Sequence, residues 1–257
     1  MANGDYQGET YLNPHYGEGV FRRRIRLVSS ADTVVGELED CAHGFRTTLV
    51  HDDQKVTEVL GEAIRYPMTT CPGAVEPLQA LRGTPLTMSA GDINKYGNPF
   101  GNCTHLYDLT ILAIAHTQYD KVERQYDVEV DDERDGVSEA RVYLDGELFH
   151  CWQTAAFAVV APEVLKGNTM FKGFSAWAGA EFTDVELEAA HVLQKGYFVA
   201  QARRYDIEKT AGQPAALEPA RRNVCYSYSD GVIEGAVRLG GGSRDFTFSE
   251  EALLRFL

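Results

Sequence analysis

Residues 101–116, "GNCTHLYDLTILAIAH", place a thiol, an imidazole and a carboxylate at the start of an apolar run. On a helix, at about 100° per residue, His105, Leu109, Leu112 and His116 share one stripe, and Asp108 lies one turn from His105. An imidazole beside a carboxylate is a donor set suited to general acid–base catalysis. Cys103 precedes the helix, where unpaired N–H groups and the macrodipole favour a thiolate. Cys71, just before Pro72, has the same setting. Both cysteines also suit the plainer role of small buried hydrophobes.

Other candidates stand beside turns. "ELEDCAHGF" supplies Asp40 and His43 next to a glycine, and "AIRYPMTTCPG" supplies Arg65, Tyr66 and Cys71. A strand-end arginine such as Arg65 is equally an ordinary salt-bridge residue. In "FHCW", a strand puts His150 and Trp152 on one face and Cys151 on the other, either lining an aromatic pocket or closing a core. His191 falls within a long helix and reads as structural. Cys103-x-His105 is too short a spacing for two metal ligands on one helix face. It could still bind zinc or iron with Cys71 and Asp40 completing the set. The chain has no glycine-rich dinucleotide fingerprint, no phosphate-binding P-loop, no Gly-x-Ser-x-Gly and no His-Glu-x-x-His.

The elements that must position these groups follow from periodicity. "FRRRIRLVSS", "TVVGELED" and "GFRTTLVHDDQKVTEVLGEAIRYP" alternate and are rich in β-branched residues, which predicts an antiparallel meander of about four strands. "PGAVEPLQALRG" predicts a helix, short or kinked because of Pro77, with Gly83 at its end. A second helix is expected over 104–117 with Thr104 as N-cap. Strands return in "YDKVERQYDVEV" and "SEARVYLDGELFHCWQTA", the latter turning at Asp145-Gly146. The longest helix is expected in "TDVELEAAHVLQKGYFVAQARRYDIE", with Thr183 and Glu186 in capping-box relation. "NVCYSYSDGVIEGAVRL" reads as another hairpin, and a short helix is expected near Ser249. The fold class is therefore α+β: antiparallel sheet with helices packed on one side, in two pseudo-similar halves. Residues 1–20, with Tyr6, Tyr11 and Tyr16, read as an N-terminal arm and 21–257 as a single domain.

At 257 residues the chain can bury a sizeable core, and 44% hydrophobic with 24% charged residues is ordinary for a globular protein. Acidic residues outnumber basic ones 38 to 24, for a net charge of −14. Such a surface repels phosphate backbones and anionic lipid, so neither nucleic acid nor membrane is expected as a partner. No apolar run is long enough to span a bilayer, and the first residues do not read as a secretory signal. Five cysteines without a Cys-x-x-Cys pair suggest reduced thiols and a cytoplasmic location.

The ordered set "ELED..HGF", "RYPMTTCPGA", "L..LRGTPL" and "NCTHLYDL" resembles the bacterial domain-of-unknown-function 2889 family over roughly residues 20–120. The resemblance implies strands, then a Cys-Pro helix, then a Cys-Thr-His-Leu helix. The order is also distantly similar to iron–sulfur scaffold proteins, although the full three-cysteine pattern is lacking. A further resemblance is to lyases that release the γ-carbon of lignin-derived phenylcoumaran dimers as formaldehyde.

These lines converge on a cofactor-independent lyase or isomerase acting on a small aromatic molecule, as a monomer or homodimer. In this reading His105 is the general base oriented by Asp108, and His43 is a second proton carrier. Arg65 would hold a carboxylate or phenolate, Tyr66 or Tyr107 would protonate a leaving oxygen, and the thiols would line the cleft, with Phe45 and Trp152 near these groups. The rival expectation is a metal- or cluster-binding protein using Cys71, Cys103, His105 and Asp40.

Overall fold

The computed structural model describes residues 11–89, 93, 96–218 and 222–257. Strands β1 (Val20–Ser30), β2 (Thr33–Asp40), β3 (Gly44–His51), β4 (Val56–Arg65), β5 (Glu123–Asp131), β6 (Ser138–Leu144), β7 (Glu147–Ala155) and β8 (Ala158–Ala161) form one sheet. Its order is β4-β3-β2-β1-β5-β6-β7-β8, every neighbouring pair antiparallel. Among the described residues, helix α1 (Thr104–His116) lies between β4 and β5, and helices α2 (Phe174–Glu181) and α3 (Asp184–Ala200) follow β8.

The expected α+β class and the expected halves are both present. Each half is a four-strand meander running outward from the centre, followed by a helix that returns over it. Ile25 of β1 pairs with Tyr126 of β5 at the seam, and Arg23 and Arg124 each lie two residues before that pair. The helices take one face. Leu109 of α1 lies where a methyl on Gly36 would meet it at 3.1 Å, and a methyl on Gly196 of α3 would strike Val128 Cγ1 at 2.6 Å. Strand alternation explains the division: Phe21, Ile25 and Leu27 face the helices and are buried, while Arg22, Arg24 and Arg26 face away. On that far face they meet Glu129, Asp127 and Glu37 in ion pairs.

Several expectations needed correction. Cys103, not Thr104, is the N-cap of α1. Thr183 caps α3 in backbone conformation only, since its side chain makes no capping hydrogen bond. α3 ends at Ala200 and the chain tightens into a 3-10 turn over Gln201–Arg204. The cause is an extended segment from the arm: Asn13 N–H donates to Arg204 O at 2.9 Å, and Asp206 N–H to Tyr11 O at 2.6 Å. Within the described residues the arm is packed, with Arg204 over the Tyr16 ring; Tyr6 lies outside the described residues. Cys71–Leu81, expected as a short or kinked helix because of Pro77, is a 3-10 helix of 11 residues. The hairpin expected over 223–239 is instead a pair of 3-10 turns, Tyr226–Tyr228 and Ile233–Gly235. Its apolar residues Tyr228, Ile233 and Ala236 pack on Met68, Cys71 and Ala215 as a second small core. No helix among the described residues is long and apolar enough to cross a membrane.

Candidate functional site

The turn between β2 and β3 is built by one carboxylate. Asp40 Oδ1 accepts from the N–H groups of Ala42 at 2.9 Å and His43 at 3.0 Å, closing an Asx-type turn. The same oxygen accepts from His43 Nδ1 at 2.9 Å. Its Oδ2 accepts from Arg23 Nε at 3.0 Å and from an Arg23 terminal nitrogen at 2.6 Å. Arg23 and Asp40 are fully buried. Burial opposes the charge on Asp40, but His43, Arg23 and the hydrogen bond from His43 outweigh it and hold the carboxyl well below its ordinary range.

An ionised Asp40 has no proton to donate, so the His43 Nδ1 must carry one. In the neutral form of the ring, Nε2 is then the acceptor. The His43 ring keeps 14% of its side chain exposed and stacks on His105, with centroids 3.8 Å apart and planes at 24°. Phe45 lies against both imidazoles, at 5.9 and 6.2 Å. His105 sits in the first turn of α1. Its Nε2 is sealed from solvent and has no hydrogen-bond partner among the described residues. Burial, followed by the charges of His43 and Arg23, pushes its pKa well below 6.5 and keeps it neutral at pH 7.

The structure therefore joins Asp40, His43, His105 and Phe45, and separates other candidates from them. Asp108 does not orient His105; it pairs with Lys195 of α3 at 3.0 Å. The i, i+3 spacing permits a contact with His105, but Lys195 of the neighbouring helix takes the carboxylate. Arg65 is not free to hold a substrate anion. Its guanidinium donates to the carbonyls of Cys41 (3.1 Å), Gly242 (2.8 Å), Asp40 (2.6 Å) and His43 (3.3 Å), and to Glu39 Oε1 at 2.9 Å. Tyr107 is buried on another side of α1, with its ring 2.8 Å from where a methyl on Gly97 would stand; burial, then Asp108, raises its pKa. Tyr66 packs where the two apolar clusters meet. Trp152 and His150 share the helix-facing side of β7 as expected, but they close a core with Phe174, Trp177 and Phe182. His150 Nε2 there meets Glu186 O at 2.9 Å, under the start of α3.

The thiols do not become thiolates. Burial raises the pKa of Cys103 far above its ordinary value and raises that of Cys71 as well, despite the Ser227 hydroxyl at 3.4 Å from the Cys71 sulfur. Desolvation outweighs the helix N-terminus in both cases. Neither belongs to the group of candidate metal ligands formed by Asp40, His43 and His105. Arg23 was missed in the sequence although it left a signal: an arginine in the apolar phase of β1, between Phe21 and Ile25. Of two surface hollows, one is lined by Arg22, Arg23, Arg24, Asp127 and Tyr143 and so shares Arg23 with the site, and the other is lined by Gly19, Asp132 and Arg134.

Four imidazoles, those of His105, His116, His150 and His191, are depressed chiefly by burial. Each is neutral in the folded state but takes up a proton near pH 6.5 once unfolded. Folding stability should therefore fall as pH drops through 6.5, by up to about 1.4 kcal/mol per pH unit for each such group. Asp40 extends the loss at lower pH, while Glu188, whose carboxyl burial raises, opposes it. Thermal unfolding at pH 7.5, 6.5 and 5.5 should show a declining midpoint; a constant midpoint would mean these rings are not held neutral.

Compared with protein families, curated proteins and solved structures, the chain matches none of them.

Proposed function

We propose that this chain is a cofactor-independent acid–base enzyme of the carbon–carbon lyase (aldehyde-lyase) type acting on a small aromatic molecule. The observation that carries this reading is the Asp40–His43 dyad stacked on a neutral His105. The dyad supplies a base on a partly exposed ring, and the neutral His105 ring lies against it. The substrate class rests on the resemblance to lyases of lignin-derived phenylcoumaran dimers. For such a dimer, a base takes the phenolic proton and the ether ring opens to a quinone methide, its phenoxide taking up a proton. Removal of the hydroxymethyl proton then breaks the bond to the γ-carbon. That electron pair restores the phenol and a stilbene, and formaldehyde leaves with no net oxidation. His43 suits the first proton, and its imidazolium can return that proton to the leaving oxygen before the ring, neutral again, takes the hydroxymethyl proton. The reading places the protein in the cytoplasm. A homodimer would cover the exposed stacked pair Phe171 and Phe198.

The test is a panel of phenylcoumaran and biaryl dimers assayed for formaldehyde and for stilbene absorbance. Equal molar release of the two products is expected; no formaldehyde from any phenylcoumaran would overturn the lyase assignment. A metal centre is the second reading, because ligand atoms of Asp40, His43 and His105 all lie within 4.8 Å of one another. Two imidazoles and one carboxylate suit iron or zinc. Against it, both Asp40 oxygens are already engaged by five donors. Stoichiometric metal that survives dialysis of anaerobically purified protein would move the site to this second reading.

A further inference from the structure

The segment from Gly242 to Leu257 grips the turn that carries His43 from behind. Gly242 O accepts from Arg65 at 2.8 Å, and Arg244 N–H donates to Cys41 O at 2.7 Å. Glu39, fully buried, offers one oxygen to Arg65 at 2.9 Å. Its other oxygen accepts from the N–H groups of Leu254 at 2.6 Å and Phe256 at 3.2 Å. Leu254 and Phe256 both hold left-handed backbone, with φ of 67° and 55°. That conformation aims two amides at one carboxylate, at a backbone cost that the bonds to Glu39 offset. The Phe256 ring lies under Arg46 and against the position a methyl on Gly44 would take, at 3.0 Å. Arg65 then passes the constraint on, since its remaining donors hold the carbonyls of Asp40, Cys41 and His43.

We infer that the Glu39–Arg65 pair and the Leu254–Phe256 amides form a positioning device that holds the 40–43 turn so that Asp40 fixes the His43 tautomer. This rests on the reading of His43 as a base, but its structural content can be measured without turnover. None of these groups approaches a reacting atom, so they are positioning residues and act through Asp40 and His43.

The experiment compares three variants. Leu254→Pro removes one amide donor and cannot adopt the observed φ. Leu254→Gly keeps the amide and suits that φ. Glu39→Gln keeps the side-chain shape and removes the charge. The readouts are the nitrogen-15 signals of the His43 imidazole, which report the proton on Nδ1, and kcat and KM on any substrate turned over. Leu254→Pro and Glu39→Gln should show a mixture of His43 tautomers and a kcat lowered about 10- to 100-fold, the cost of a small misplacement, at unchanged KM. Leu254→Gly should keep the Nδ1–H tautomer. If Leu254→Pro fails to fold by circular dichroism, Glu39→Gln decides alone. A wild-type tautomer in folded Glu39→Gln would overturn the inference. Full turnover in His43→Ala would instead overturn the functional reading and leave the tautomer comparison to judge the positioning device.

Discussion

His43→Ala should lower kcat about 10²–10⁴-fold, the range for removal of a positioned general base, while the protein stays folded. The fold should survive because His43 lies on a partly exposed turn whose geometry is set by Asp40 accepting backbone amides, not by the imidazole. Asp108→Asn is the matching control. Asp108 is paired with Lys195, so its substitution should leave turnover within about twofold, a change of under about 0.5 kcal/mol in the barrier. The two variants distinguish the dyad seen here from the His105–Asp108 pair suggested by the sequence. Kinetics on formaldehyde release decide between them. Equal losses in both, or none in His43→Ala, would exclude the Asp40–His43 dyad as the base.

Arg23→Met should destabilise the protein by about 3–5 kcal/mol, the usual cost of leaving one member of a buried ion pair without its partner. The pair is closed on both sides: Arg23 and Asp40 retain 3% and 0% of their side-chain exposure. Without the guanidinium, burial acts on Asp40 against the contacts with His43, His105 and the Ala42 amide, and its carboxyl shifts upward. The penalty should then shrink as pH falls, since a protonated Asp40 needs no countercharge. Denaturant unfolding at pH 7 and pH 5 measures both effects. The double substitution Arg23→Met with Asp40→Leu should recover only part of the lost stability, because it leaves no buried charge but takes the acceptor from the Ala42 and His43 amides, and it should remain inactive. A loss below about 1 kcal/mol in Arg23→Met would mean that water reaches this pair.

The strands were legible because each has one buried face, and a period of two is printed directly into the chain: Phe21, Ile25 and Leu27 against Arg22, Arg24 and Arg26. The turn at Asp145-Gly146 was legible for a local reason, with φ of 54° and 85° at its two residues. The segment 223–239 misled because its tyrosines and β-branched residues suit a strand, but its partners are Met68 and Ala215 and not a sheet edge. The end of α3 misled similarly: nothing near Ala200 breaks a helix, and only the distant pairing with Tyr11 and Asn13 draws the chain out of it.

The sequence by itself determined the layers of this protein, because burial on one side of a strand or helix is a property of neighbouring residues. It also determined the types of group available for proton transfer, including both His43 and His105. Tertiary structure alone decided their pairing. Asp40 meets Arg23 because β2 lies beside β1, His105 meets His43 because α1 folds back over β2 and β3, and Asp108 is taken by Lys195 from the other half. The charge states followed from the same packing: burial made the Cys103 thiol inert and the His105 imidazole neutral, whereas the local helix-start argument for Cys103 pointed the other way. Desolvation depends on everything that surrounds a group, and no stretch of neighbouring residues carries that information.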